Sequence, residues 1–85
     1  MHREYELQES SVSPFAGYLR SQREARAMKV TSLSQVSGIP MERLAALESG
    51  TGTPSRRELR LLARVFRIPP EKMIVMAGQA RLILD

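Results

Sequence analysis

Arginine is the residue type whose number and position most clearly indicate a chemistry in this chain of 85 residues. Segment 20–67 holds ten basic and four acidic residues, a net charge of +6, whereas residues 1–19 carry −2 and residues 68–85 are neutral overall. The arginine guanidinium is a planar fork that matches phosphates and base edges. Such a basic segment favours nucleic-acid binding, although many small soluble domains are basic without binding nucleic acid.

Side chains for catalysis or metal binding are scarce in this sequence. There is no cysteine, and the single histidine is His2. Without cysteine there is neither a disulfide framework nor a thiolate metal site. A lone histidine cannot build a catalytic or metal-binding cluster, and no glycine-rich phosphate loop is present. We therefore expect a protein that is not an enzyme and that uses no cofactor and no metal.

Membrane and export signals are also missing from the sequence pattern. No segment approaches the roughly 18 apolar residues that a spanning helix requires. Residues 1–12 are acidic and are not followed by the apolar core of a signal peptide. We expect a cytoplasmic protein with no membrane partner, in which residues 1–12 form a flexible arm.

The positioning elements are predicted to be helices, because apolar residues recur at helical spacing and no strand alternation is found. Ser13 and Pro14 are expected to start the first helix, and Gly38, Gly50 and Gly78 to follow the ends of three others. Domain 13–78 is thus predicted to be all-α, followed by an apolar tail over 79–85. The five predicted helices are about 14–27, 30–37, 40–49, 56–67 and 70–77.

Two helix starts carry capping signals. Ser55 followed by Glu58 predicts a capping box, in which each side chain bonds the other residue's backbone amide. Thr31 or Ser32 is expected to cap the second helix. The fourth helix then shows a regular apolar stripe, made of Leu59, Leu62, Ala63 and Phe66.

The second and third predicted helices are joined by a short turn. Gly38 permits a sharp reversal, and the apolar Ile39 is placed to fill the space between the two helices. This arrangement describes a helix-turn-helix, whose second helix can enter the DNA major groove. It describes an αα-hairpin of a helical bundle equally well, so the local pattern leaves both interpretations open.

A longer pattern of spaced residues runs through three quarters of the chain. It comprises Leu19-Arg20-x-x-Arg23-x-x-Arg26-Ala27-Met28, Leu33-x-x-x-Ser37-Gly38-Ile39, Leu44-x-x-Leu47-Glu48-x-Gly50, Pro54-Ser55, Leu59-x-x-Leu62-Ala63-x-x-Phe66 and Ile68. This pattern resembles the lambda-repressor-like, Cro-type helix-turn-helix domains of the XRE family. The resemblance implies a five-helix lambda-repressor-like fold with the helix-turn-helix at helices 2 and 3. It also implies a small transcriptional regulator that binds specific double-stranded DNA, with a recognition helix at about 40–49 in the major groove.

The same resemblance implies residue roles. Base-reading positions correspond to Pro40, Met41, Glu42, Arg43 and Ala46. Of these, Arg43 is the strong hydrogen-bond donor, Glu42 can accept from a cytosine amine, and Met41 or Ala46 can touch a thymine methyl. Arg23 and Glu48 are expected to form an ion pair beneath the recognition helix. Phosphate contacts are expected from Lys29, Arg43, Thr51, Thr53, Ser55, Arg56 and Arg57.

The C-terminal part is more apolar than one packing face requires, which favours a homodimer. The expected interface residues are Met73, Ile74, Met76, Leu82, Ile83 and Leu84. Packing of the tail onto helix 1 or helix 4 of a monomer is the alternative.

The alternative function is a protein-interaction module, such as an antitoxin or accessory subunit. The apolar start of helix 3 favours that module, whereas the basic middle favours DNA.

Overall fold

Five α-helices make up the described part of the chain, residues 14–78 of a computed structural model. Within this range there is no strand, and no helix is both long and apolar enough to cross a membrane. The expected arm over 1–12 and the expected tail contacts over 79–85 lie outside the described residues. The helices are α1 Pro14–Ala25, α2 Val30–Ser37, α3 Met41–Ser49, α4 Arg56–Phe66 and α5 Pro70–Met76.

Left-handed residues end several of these helices. Gly38 and Gly50 have φ values of 81° and 83°, as predicted for C-terminal glycines. The first helix is shorter than predicted and ends at Ala25. It ends there because Ala27 adopts a positive φ of 54° and the amides of Arg26 and Met28 both bond to the carbonyl of Arg23.

The two predicted caps have different outcomes. The capping box is confirmed, since Ser55 Oγ accepts from the Glu58 amide and the Glu58 carboxylate accepts from the Ser55 amide. The expectation of a Thr31 or Ser32 cap is wrong. The cap position of α2 is Lys29, which makes no side-chain capping bond, and both hydroxyl residues lie inside the first turn.

The core lies between α1, α3, α4 and the facing sides of α2 and α5. Helix α1 packs against α3 and α5, α2 packs against α3 and α4, and α4 packs against α5. Ile39 is buried at the α2–α3 turn, where its amide donates to Ser37 Oγ and its carbonyl accepts from Ser34 Oγ. The fully buried large side chains are Phe15, Phe66, Leu19, Leu33, Ile39, Leu44, Leu47, Leu59, Leu62 and Met73.

Helix α5 corrects part of the expected dimer interface. Met73 and Ile74 are buried in the core of the single chain, so their side chains are not available for contact with a second copy. They are buried because the inner face of α5 packs against α1 and α4. Val75 is exposed, and Met76 is half-buried against the core.

Candidate nucleic-acid interface

The outer face of α3 is the surface that a helix-turn-helix would present to a groove. Leu44 and Leu47 anchor the inner face in the core, which leaves the opposite face toward solvent. Of the five predicted base-reading residues, Pro40, Met41 and Glu42 are exposed, whereas Arg43 and Ala46 are half-buried. Ala45 is exposed as well; it was missed because the positions were taken from the family resemblance and not from helix geometry.

Arg43 points its guanidinium at the start of α4. Its Nε donates to Glu58 Oε2 at 2.6 Å and its Nη2 to Glu58 Oε1 at 3.0 Å. The same Nη2 donates to the carbonyl of Thr53 at 2.6 Å. The Nε and Nη2 donors of the one arginine on α3 are thus engaged within the protein.

Glu58 therefore belongs to two local structures at once. Its Oε1 accepts from the Ser55 amide at 2.9 Å in the capping box, and both of its oxygens accept from Arg43. The hydrogen bonds from Arg43, and to a smaller extent those from Ser55, hold the pKa of the Glu58 carboxyl below its usual value. Hydrogen bonding to Glu58 raises the pKa of Arg43. Sequence reasoning recognised the cap and missed the ion pair.

The structure brings the one expected ion pair, Arg23 and Glu48, together beneath the last turn of α3. Arg23 Nε lies 2.6 Å from Glu48 Oε2, and Arg23 Nη2 lies 2.9 Å from Glu48 Oε1. Arg23 Nη1 also donates to the carbonyl of Met28 at 2.8 Å. Hydrogen bonding to Glu48 raises the pKa of Arg23. This fork joins α1, the turn that follows it, and α3.

The expected phosphate-contacting residues other than Arg43 are all exposed, and they flank the helix-turn-helix. Lys29 stands before α2, and Arg56 and Arg57 are the first two residues of α4. Within residues 14–78 none of these three cations has an ion-pair partner. Thr51 Oγ1 bonds back to the carbonyl of Ala46 at 3.3 Å. The remaining members, Thr53 and Ser55, lie on the loop that leads into α4.

Arg26 has a structural role that the sequence did not indicate. Its Nη2 donates to the carbonyl of Phe66 at 2.7 Å, and its guanidinium carbon lies 4.7 Å from the centre of the Phe66 ring. A cation at the C-terminal carbonyls of a helix and over an aromatic face is favourable on both counts. Arg26 thus fastens the end of α1 to the end of α4.

The five helices, with Gly38 and Ile39 between α2 and α3 and an outward-facing α3, define the helix-turn-helix class. Residues 19–73 match the family HTH_3, described as helix-turn-helix, and this chain belongs to that family. The family has the lambda-repressor-like fold, so the predicted five-helix fold is confirmed. It is a family of DNA-binding, non-enzymatic domains, as the sequence predicted.

The chain is also similar to a bacterial protein. The chain is 37% identical over 68 residues to an uncharacterized HTH-type transcriptional regulator, RghRB, of Bacillus subtilis (strain 168). The match covers 79% of this chain and 49% of the relative, so the chain spans about half the length of the curated relative that it matches. No solved structure matches the chain.

Proposed function

We propose that this chain binds specific double-stranded DNA as a transcriptional regulator, with the outer face of α3 in the major groove. The observation that carries the proposal is the position of α3. Its inner face is anchored in the core, Glu48 on its last turn is held by Arg23, and its outer face is open to solvent. A helix held in this way fits the major groove, which is wide enough for one α-helix. A cytoplasmic location follows from this function.

Base contacts are assigned to the exposed side chains of α3 and its start. Glu42 accepts a hydrogen bond from a cytosine amine, and Met41 contacts a thymine methyl. Pro40 and the half-buried Ala46 lie at the edges of the surface that contacts the bases. The methyl group of Ala45 belongs to the same surface. Specificity therefore rests on acceptor and methyl contacts more than on arginine–guanine pairing.

Phosphate contacts are assigned to the exposed cations and hydroxyls beside α3. Lys29 and the first turn of α2, which has no side-chain cap, face one strand. A second group of phosphate contacts is assigned to the start of α4 and the loop before it. This group consists of Thr51, Thr53, Ser55, Arg56 and Arg57. Such contacts set position and supply the salt-dependent part of the affinity.

A homodimer is part of this proposal, because two recognition helices about 34 Å apart read successive turns of the major groove. The exposed Val75, the half-buried Met76 and the tail residues Leu82, Ile83 and Leu84 are the proposed contacts. In support, an apolar cleft of about 270 Å³ lies between Pro14 and the C-terminal end of α5, with Val75 and Met76 in its lining. Sedimentation of the full chain beside one ending at Gly78 tests the interface, and a monomeric full chain at tens of micromolar would contradict it.

The DNA proposal is tested by selection from a random duplex pool, followed by titration of the selected duplex at several salt concentrations. Lys29→Ala or Arg56→Ala should weaken binding to all duplexes alike and lower the salt slope by about one unit. Arg64→Ala is the matched control, since Arg64 is an exposed arginine on α4 outside the proposed contact set. Glu42→Ala should instead change the selected sequence. A shift in sequence preference caused by Lys29→Ala would contradict its assignment to phosphate.

A protein-interaction module on the same scaffold is the second candidate. It is favoured by Val36 and Met41, two exposed apolar side chains on either side of the helix-turn-helix turn. Exposed apolar groups of this kind often mark protein contacts. Absence of duplex binding at low salt by the full chain would select this candidate over the DNA-binding one.

A further inference from the structure

The Arg43–Glu58 bridge joins the first turn of α3 to the first turn of α4. Arg43 forms a two-pronged pair with the Glu58 carboxylate and also bonds the carbonyl of Thr53 in the connecting loop. Glu58 is itself fixed by the amide of Ser55. One arginine side chain therefore holds the loop and the start of α4 together against α3.

Both helices contribute leucines to the common core, but their backbones are not in extensive contact. The helix pairs in extensive contact are α1 with α3 and α5, α2 with α3 and α4, and α4 with α5, so α3 and α4 are not among them. The loop passes directly beside the bridge. A Cβ atom added to Gly52 would lie 2.9 Å from Arg43 Nη1, which is too close for both groups to keep their positions.

We infer that Arg43 is a positioning residue, and that its bridge to Glu58 sets the recognition helix relative to the phosphate-facing start of α4. The inference rests on the proposed function. A groove contact and a phosphate contact can form together only if the two helices keep one separation and angle, because both DNA features have a fixed spacing. The two-pronged geometry suits this role, since it restrains direction as well as distance.

A double-mutant cycle on the full chain tests the inference. Arg43→Met removes the guanidinium and keeps the length of the side chain. Glu58→Gln removes the charged partner and keeps a capping-box residue, because glutamine also serves at that position. The measured quantity is the ratio of affinities for the selected duplex and an unrelated duplex, at a temperature well below the Tm of every variant.

We expect each single substitution to lower this ratio by about tenfold. The double variant should have a ratio no lower than that of the single variant with the larger loss, as for residues that act through one contact. The salt slope should stay at the wild-type value, because Arg43 touches no phosphate. Arg43→Lys should recover little of the ratio, since an ammonium keeps the charge and lacks the fork.

A base- or phosphate-reading Arg43 gives a different pattern, which would overturn the inference. Arg43→Met would then lose affinity while Glu58→Gln, which frees the guanidinium, would retain or strengthen it. The two effects would be additive, or the salt slope would fall by about one unit in Arg43→Met.

A readout on the free protein separates this inference from the proposed function. In backbone NMR spectra, Arg43→Met and Gly52→Ala should shift amide signals at the starts of both α3 and α4. Shifts confined to the neighbourhood of the substituted residue would overturn the inference that the bridge positions the two helices, whether or not the chain binds DNA. Failure of the wild-type chain to bind any duplex would overturn the proposed function, and the amide shifts would still decide the bridge.

Discussion

Two Arg–Glu forks hold opposite ends of α3, and they differ mainly in their exposure to water. Both have an Nε–oxygen distance of 2.6 Å. In the inner fork, Arg23 and Glu48 have side chains that are 13% and 6% exposed, whereas in the outer fork the values for Arg43 and Glu58 are 35% and 14%. The same chemistry therefore works in two environments on one helix.

Because the two forks differ in burial, they should contribute differently to stability. Removing one partner of a buried pair leaves a charge without water or a counter-ion, which costs several kcal/mol. Near the surface water can replace the lost partner, and the net contribution of such a pair to stability is small. The inner fork is thus suited to holding the fold together. The outer fork contributes chiefly to the orientation of α3 and the following loop.

The largest effect should come from breaking the inner fork. Glu48→Ala should lower the free energy of unfolding by about 3 kcal/mol, because Arg23 is left nearly buried without its carboxylate. For a domain of this size the Tm should fall by more than about 10 °C. Thermal unfolding followed by circular dichroism measures this. An unchanged Tm in both Glu48→Ala and Arg23→Ala would show that the two forks do not differ as proposed.

The outer fork should show itself in the pH dependence of stability. Arg43 lowers the pKa of Glu58 in the folded state, so the carboxylate stabilises the fold above its ordinary pKa of about 4.3. This contribution is lost as the pH falls through the lowered folded-state pKa. The Tm difference between wild type and Glu58→Gln should therefore be present at neutral pH and shrink below about pH 4. A difference independent of pH would contradict the pairing.

A substitution that adds no charge and removes none sharpens the comparison further. In Gly52→Ala the new Cβ would lie 2.9 Å from Arg43 Nη1, so the end of the Arg43 side chain must shift from its present place. We expect a Tm decrease smaller than that of Glu48→Ala. In an Arg43→Met background the same substitution should have little effect, because the obstructing group is gone. Equal Tm decreases in the two backgrounds would mean that Gly52 acts independently of the bridge.

The smallest effect is expected at Arg20. Its Nε lies 3.7 Å from Glu48 Oε1, and its side chain is 57% exposed. An exposed cation at this distance adds little beside the Arg23 fork, so Arg20→Ala should change stability by less than about 0.5 kcal/mol. It is also the control for the loss of positive charge in Arg23→Ala. A Tm decrease comparable to that of Arg23→Ala would show that Glu48 is held by both arginines.

Local features of the sequence were sufficient to predict most of the framework. The five helices, the left-handed Gly38 and Gly50 and the Ser55–Glu58 capping box each depend on residues a few positions apart, and all are present. The early end of α1 was missed because nothing in the residue type of Ala27 indicates a positive φ. The missing cap of α2 shows the same limit, since two hydroxyl residues lay near a helix start that neither one caps.

Contacts between residues that are distant in the sequence were harder to predict from the sequence. The Arg23–Glu48 pair was expected from the family resemblance, which carries information on tertiary structure that the residues alone lack. Arg43 and Glu58 are 15 positions apart in sequence, and Glu58 already had a local role as a capping residue. Nothing in that local pattern indicated a second partner.

The sequence by itself determined the kinds of elements and their approximate bounds, because periodicity, glycine conformation and capping act over one or two helical turns. The helix-turn-helix class followed from the longer pattern that resembles the XRE family, since the local pattern fitted an αα-hairpin equally well. The tertiary structure decided which side chains remain available for contact with other molecules. It directed Arg43 toward the loop and placed Met73 and Ile74 in the core, while it left Met41 and Glu42 exposed. The physical reason is that exposure depends on how whole helices pack. That packing is a property of all five helices together, and no short segment specifies it.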